Sequence, residues 1–177
     1  MCVREILYGL KDEFFQYAEA STDVLKFQKE VADACKMNYC GMYGKTWTCP
    51  PAIDDYAKME KQLKKYKNFF VFTTKHSIED SFDFEGMVAA KDEHTLVQNR
   101  VRAALKGTDH RVFGAGGCTN CEKCTYPDSP CRFPEKAVSS IEACGINVVE
   151  LSRDVGINYV NGENTVTYFS MVFFNRE

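Results

Sequence analysis

The sequence predicts an α+β domain: a mostly antiparallel sheet with helices packed on it and two cysteine-rich loops held outside. Three observations support this. Short aromatic and β-branched runs, Phe69 to Thr74 and Thr165 to Phe174, alternate with segments of helical periodicity. An Asn161-Gly162 pair, between Tyr159-Val160 and the last run, is a hairpin signal. The cysteines gather into two stretches rich in glycine and proline, which regular structure avoids.

The elements follow in order. From Ser21 to Lys36, Val24, Phe27, Val31 and Ala34 form one stripe, which predicts a helix capped by Ser21, Thr22 or Asp23. A cysteine-bearing loop then runs from Cys35 to Pro51. Pro50 and Pro51 end regular pairing and suit the start of a helix. Tyr56, Met59, Leu63 and Tyr66 repeat at helical spacing between Asp54 and Lys67, with lysines covering the remaining faces. After the acidic segment Glu79 to Glu85, the stripe Leu96, Val97, Val101, Ala104 and Leu105 predicts a helix that stops at Gly107. Pro134 is placed for the first turn of a further helix through Ala143, with Gly145 as its stop, and Ile146 to Leu151 reads as a strand. The last strand is apolar on both faces, with Val166, Tyr168 and Val172 on one and Phe169, Met171 and Phe173 on the other. A central strand covered on both sides has this pattern; a homodimer interface is the competing explanation.

A chain of 177 residues is most simply one domain, 1–177, and buries roughly 70% of its unfolded surface without needing disulfides. Net charge is −3, with acids and lysines interspersed, so there is no electrostatic footprint for nucleic acid. No apolar run approaches the roughly 20 residues that span a bilayer, so no membrane partner is expected. The first residues lack the plan of a signal peptide. The expected compartment is the cytoplasm, where clustered cysteines point to metal or redox chemistry more than to bridges. Nine cysteines, an odd number, also fit a closed disulfide framework poorly.

The chemistry lies in Cys118, Cys121, Cys124 and Cys131. Three thiols at i, i+3 and i+6 on one loop converge on a bound centre, and the spacing is close to the bacterial ferredoxin run that wraps a [4Fe-4S] cluster. The glycines from Gly114 to Gly117 let backbone amides approach such a group. The alternative is a structural zinc site, although zinc is more often held by two separate knuckles. Cys35, Cys40 and Cys49 form a second candidate centre, with Tyr43 and Trp47 as possible shields. Three thiols leave one position open, and Cys131 could serve either group. If seven cysteines hold two cubanes, one iron lacks a thiolate and could bind a substrate. Cys144 reads as a small buried hydrophobe and Cys2 as incidental, while His76, His94 and His110 lack ligand spacing.

At these motifs the chain resembles a known family. Cys35-x4-Cys40-Gly41-x-Tyr43-Gly44-x2-Trp47-x-Cys49-Pro50-Pro51, then Gly116-x-Cys118-x2-Cys121-x2-Cys124-Thr125-Tyr126-Pro127-x3-Cys131-Arg132-x-Pro134, then Glu142-Ala143-x-Gly145-Ile146 is similar to the predicted metal-binding proteins of domain of unknown function 2284. The resemblance runs from about Val24 to Phe174. It implies cysteine ligation and names no reaction.

Walker A, G-x-G-x-x-G, H-E-x-x-H and G-x-S-x-G signatures are absent, as is the radical-SAM cysteine spacing. The residues therefore point to a small iron–sulfur protein with one or two [4Fe-4S] clusters that serves a redox partner protein. An enzyme built on an incompletely ligated cluster, a zinc-stabilised interaction module and a metal-delivery protein are the alternatives.

Overall fold

The computed structural model describes residues 1–175. Its elements are α1 (Val3–Gly9), β1 (Gln16–Ser21), α2 (Lys29–Ala34), α3 (Tyr56–Leu63), β2 (Asn68–Ser77), α4 (Phe84–Ala104), β3 (His110–Phe113), α5 (Val148–Asp154) and β4 (Thr165–Phe174). One antiparallel sheet has the order β1-β2-β4-β3. The class is α+β, as the sequence predicts.

β2 and β4 pair along their whole length, from Asn68 opposite Phe174 to Ser77 opposite Thr165. Alternation sends Phe69, Val71, Phe169, Met171 and Phe173 to one face, under α3, α5 and the segment around Ile141 to Ile146. Phe70, Phe72, Val172 and Phe174 go to the other face, under α1 and α4. Each buried Phe is worth about 1.5–3 kcal/mol, so this ladder carries much of the stability. The apolar content of β4 is thus covered within the chain, from both sides.

Helix boundaries follow local caps. Asp55 accepts from the amides of Ala57 and Lys58 at the start of α3. Asp83 accepts from Gly86 at the start of α4.

Several expectations are corrected, each by backbone pairing over long range or by a cap. The helix expected from Ser21 to Lys36 is only α2, preceded by a single turn at Thr22–Val24. Between them Phe27 bridges Ile146 and the Gln28 amide donates to the Gly145 carbonyl at 2.7 Å, which holds the chain extended. The helix expected from Pro134 to Ala143 is absent. There Gly114 donates to the Ser139 carbonyl and accepts from the Ile141 amide, and only a turn at Glu142–Cys144 is helical. Ile146 to Leu151 is not a strand, because Asn147 caps Val149 and Glu150 and starts α5. Tyr159-Val160 forms no hairpin with β4, whose longer partner is β2. Tyr159 instead stacks its ring on Phe169, 5.7 Å between centroids.

α4 begins at Phe84, twelve residues before the first residue of the stripe that announced it, and it buries a different face. Leu96 is 59% exposed, while Ala90, His94, Gln98 and Val101 point inward. The polar pair belongs to a hydrogen-bonded chain that runs from the core to the exposed Glu93. With both imidazoles neutral, the Glu93 end fixes its direction, since a carboxylate can only accept. Gln98 donates to Ser170 (2.9 Å), and Ser170 to His94 Nε2 (2.8 Å). His94 Nδ1 donates to Thr74 (2.8 Å), Thr74 to His76 Nε2 (2.8 Å), and His76 Nδ1 to Glu93 (3.0 Å). This chain ties α4 to β2 and β4. It also sets the end of β3, because Gln98 Nε2 lies only 2.1 Å from where a Cβ on Gly114 would be.

Burial, helped by repulsion from His76 when that ring is protonated and from Lys91, and opposed by the Phe169 backbone, lowers the His94 pKa to about 4. His94 is therefore neutral when folded, and below its ordinary value of 6.5 the unfolded chain binds the extra proton. Stability should be full above about pH 6.5 and fall as pH drops towards 4, by about 3 kcal/mol in total from this group. Urea unfolding across that window should show a shallower decline in His94→Gln than in the natural protein. Parallel curves would contradict a neutral buried imidazole.

Candidate metal centre

The first cysteine loop leaves α2 through a turn at Cys35–Met37. Asn38 takes a left-handed conformation (φ +56°), and its side-chain oxygen accepts from the Tyr43 amide. Gly41 (φ +73°) and Gly44 (φ +66°) are also left-handed, and Gly44 donates to the Pro50 carbonyl at 2.9 Å. These turns fold the loop back on itself, so that Cys35, Cys40 and Cys49 line one cavity of about 270 Å³. Its other walls come from far along the chain: Gly116 and Gly117 after β3, and Ser140, Glu142 and Ala143 on the turn that pairs with Gly114.

The second loop carries Cys118, Cys121, Cys124 and Cys131, all half-buried, and they line a narrower slot of about 20 Å³. Trp47 and Thr48 of the first loop close that slot. The two loops are therefore packed against one another. Trp47 Nε1 donates to the Ser129 carbonyl at 3.1 Å, and its ring meets Tyr126 edge-on at 4.9 Å. Trp47 thus shields the cavity of the other loop, and Tyr43 that of its own.

Hydrogen bonds hold the second loop in shape and present donors to sulfur. Asn120 Nδ2 donates both to Cys118 Sγ at 3.2 Å and to the Lys136 carbonyl at 2.8 Å. Thr125 donates to the Pro130 carbonyl, and Arg132 to that of Lys123. Burial pushes the Cys118 thiol up, and repulsion from Cys131, Cys121 and Cys124 adds to this against the Asn120 amide. At Cys124 burial acts upward but is outweighed by the backbone amides of Tyr126, Trp47 and Thr125 and by Arg132, so its thiol is lowered. Cys35 is raised, first by burial and then by Cys40, Cys49 and Glu142. Each group is thus an assembly of thiols that repel one another when ionised, the condition that a cation between them relieves.

The remaining candidates lie apart. Cys144 is fully buried in the core beneath the sheet, and burial drives its thiol far above the ordinary range. Cys2 sits at the N-terminus of α1. No histidine lines either cysteine cavity. Among the described residues, no three His, Cys, Asp or Glu side chains stand close enough to enclose a single ion.

Sequence reasoning gave no site role to Asn120 or to Glu142, which it quoted only within the third family motif. Asn120 carried a signal, a side-chain donor inside the cysteine run. Glu142 carried none from spacing, because only the pairing of Gly114 with Ser139 and Ile141 brings it to the first loop.

A family profile described as predicted metal-binding protein (DUF2284) matches residues 19–174. No curated protein and no solved structure matches the chain.

The contact between loops has a direct test. A Cβ on Gly117 would lie 2.6 Å from Met42 Cε, 2.7 Å from Cγ and 3.1 Å from Cβ. Gly117→Ala should therefore cost about 1–3 kcal/mol of stability in urea unfolding. Gly9→Ala, with nothing within 4 Å of the added methyl, should change it by less than about 1 kcal/mol. Equal effects in the two variants would mean that Met42 does not pack on the glycine run.

Proposed function

The chain belongs to this family of predicted metal-binding proteins, and on that premise we propose that it is a cytoplasmic iron–sulfur protein that exchanges single electrons with a redox partner protein. One observation carries the reading. Cys118, Cys121, Cys124 and Cys131, at ferredoxin-like spacing, share one slot that backbone and side-chain amides approach. These four thiols would hold one centre, and Cys35, Cys40 and Cys49 would hold a second.

A thiolate-ligated [4Fe-4S] cluster supplies one-electron redox chemistry when bound. What this chain contributes is ligation, charge and shielding. The Asn120 and backbone N–H donors offset negative charge gathered on sulfur, which favours the reduced state. Trp47 covers one side of the slot, while the partly exposed thiols keep the opposite side at the surface. A group held there lies within reach of a docked protein. Among the described residues no helix is long and apolar enough to cross a membrane.

Protein purified without oxygen should be brown, contain iron and acid-labile sulfide in equal amounts, and show a reversible one-electron step in protein-film voltammetry. Serine at Cys118, Cys121 and Cys124 should remove one centre, and serine at Cys35, Cys40 and Cys49 the other. Stoichiometric zinc without sulfide under the same conditions would replace this reading with a structural zinc site.

A further inference from the structure

The seven loop cysteines divide unequally between the two cavities. Four line the slot of the second loop and three line the cavity of the first. Neither remaining cysteine lines the three-cysteine cavity. Cys144 is enclosed in the hydrophobic core, where its thiol donates to the Ser140 carbonyl at 3.7 Å, and Cys2 sits at the start of α1. Cys131, which the sequence left free to serve either group, lines the slot with the other three.

One further acidic group lines the three-cysteine cavity, and it is Glu142. We propose that the Glu142 carboxylate occupies the position at this centre that no cysteine fills, as an oxygen ligand to one metal. The proposal rests on reading Cys35, Cys40 and Cys49 as a metal centre.

Three features of the structure support it. First, Glu142 is held on a constrained turn. The residues before it are fixed by the hydrogen bonds between Gly114 and Ser139 and Ile141. Ser140 Oγ accepts from the Ala143 amide at 3.1 Å, and the turn ends at left-handed Gly145. A Cβ on Gly145 would stand 3.0 Å from both the Gln28 carbonyl and Tyr56, so the turn is fitted closely to the root of the first loop. Second, the cavity lining holds four acidic groups and no lysine, arginine or histidine. Like charges gathered around a common space are costly without a cation between them. Third, Glu142 forms no ion pair among the described residues, so no side-chain cation of this chain already neutralises it.

A carboxylate is a harder and more weakly held ligand for iron than a thiolate. The iron it holds should be the labile one, and the one at which a small oxygen-bearing ligand could enter. Mild oxidation tests this with a known balance. A [4Fe-4S]²⁺ cluster gives one electron to ferricyanide and releases one Fe²⁺, leaving [3Fe-4S]⁺, which is paramagnetic.

Full-length protein isolated without oxygen is titrated with ferricyanide, reading released iron and the three-iron EPR signal. The natural protein should lose one iron per chain readily. Glu142→Cys should lose it at least tenfold more slowly. Glu142→Ala and Glu142→Gln should keep the sulfide of both clusters and lose that iron several-fold faster; the Gln variant keeps the side-chain shape. Circular dichroism verifies that each variant is folded. Equal rates in all four proteins would overturn the assignment of Glu142 while leaving the iron–sulfur reading intact. If the natural protein contains no sulfide, that reading itself fails. Glu142 is then judged by cobalt(II) titration of metal-free protein. A tenfold loss of affinity in Glu142→Ala at a site abolished by serine at Cys35, Cys40 and Cys49 supports the ligand role, and unchanged affinity refutes it.

Discussion

Burial of both faces of the β2–β4 ladder is the constraint from which the rest of this structure follows. Two ten-residue strands paired in one register present aromatic side chains above and below, so each face needs its own cover. α1 and α4 cover one face. α3, α5 and the extended segment around Ile141 cover the other. The cysteine loops do no covering. They leave this frame at its margin, from the end of α2 and the end of β3, and are free to take shapes dictated by glycine, proline and whatever they bind.

The frame reaches the site through the short run from Gly114 to Gly117. α4 grips it from one side, through Gln98 against Gly114 and the hydrogen bond from Lys91 Nζ to the Gly117 carbonyl at 2.9 Å. The segment Ser139 to Ile141 grips it from the other through the backbone bonds of Gly114. Met42 of the first loop lies against Gly117. A side chain at Gly114 or Gly117 would force one of these neighbours away, and so both cavities depend on the missing Cβ atoms at these two positions. The polar chain from Gln98 to Glu93 belongs to the same arrangement. It fixes the position of α4 on the sheet by directional bonds that hydrophobic contact alone does not supply.

Electrostatics works against the fold at its margin. Gathering thiols into two shared spaces raises Cys118 and Cys35 through burial and mutual repulsion. A bound cation would reverse the sign of these interactions, since each repelling anion would become a ligand.

Local sequence determined the elements whose own residues suffice: the strands around Phe69 to Thr74 and Thr165 to Phe174, the α3 stripe of Met59 and Leu63, and the grouping of cysteines in two glycine- and proline-rich loops. Side-chain period and ring-closing spacing are properties of neighbours in the chain, so they are legible there. Tertiary structure decided wherever a backbone group had a better partner far away. Gly145 and Ile146 took Gln28 and Phe27 out of a helix, Gly114 took Ser139 to Ile141 out of another, and β2 replaced Tyr159-Val160 beside β4. α4 hid its inner face because that face is polar, its cost met by Ser170 and Thr74 on strands that no helical pattern can indicate. Glu142 joined the three cysteines of the first loop for the same reason. Its place in the cavity is set by hydrogen bonds between residues distant in sequence, and pairing of that kind leaves no periodicity to read.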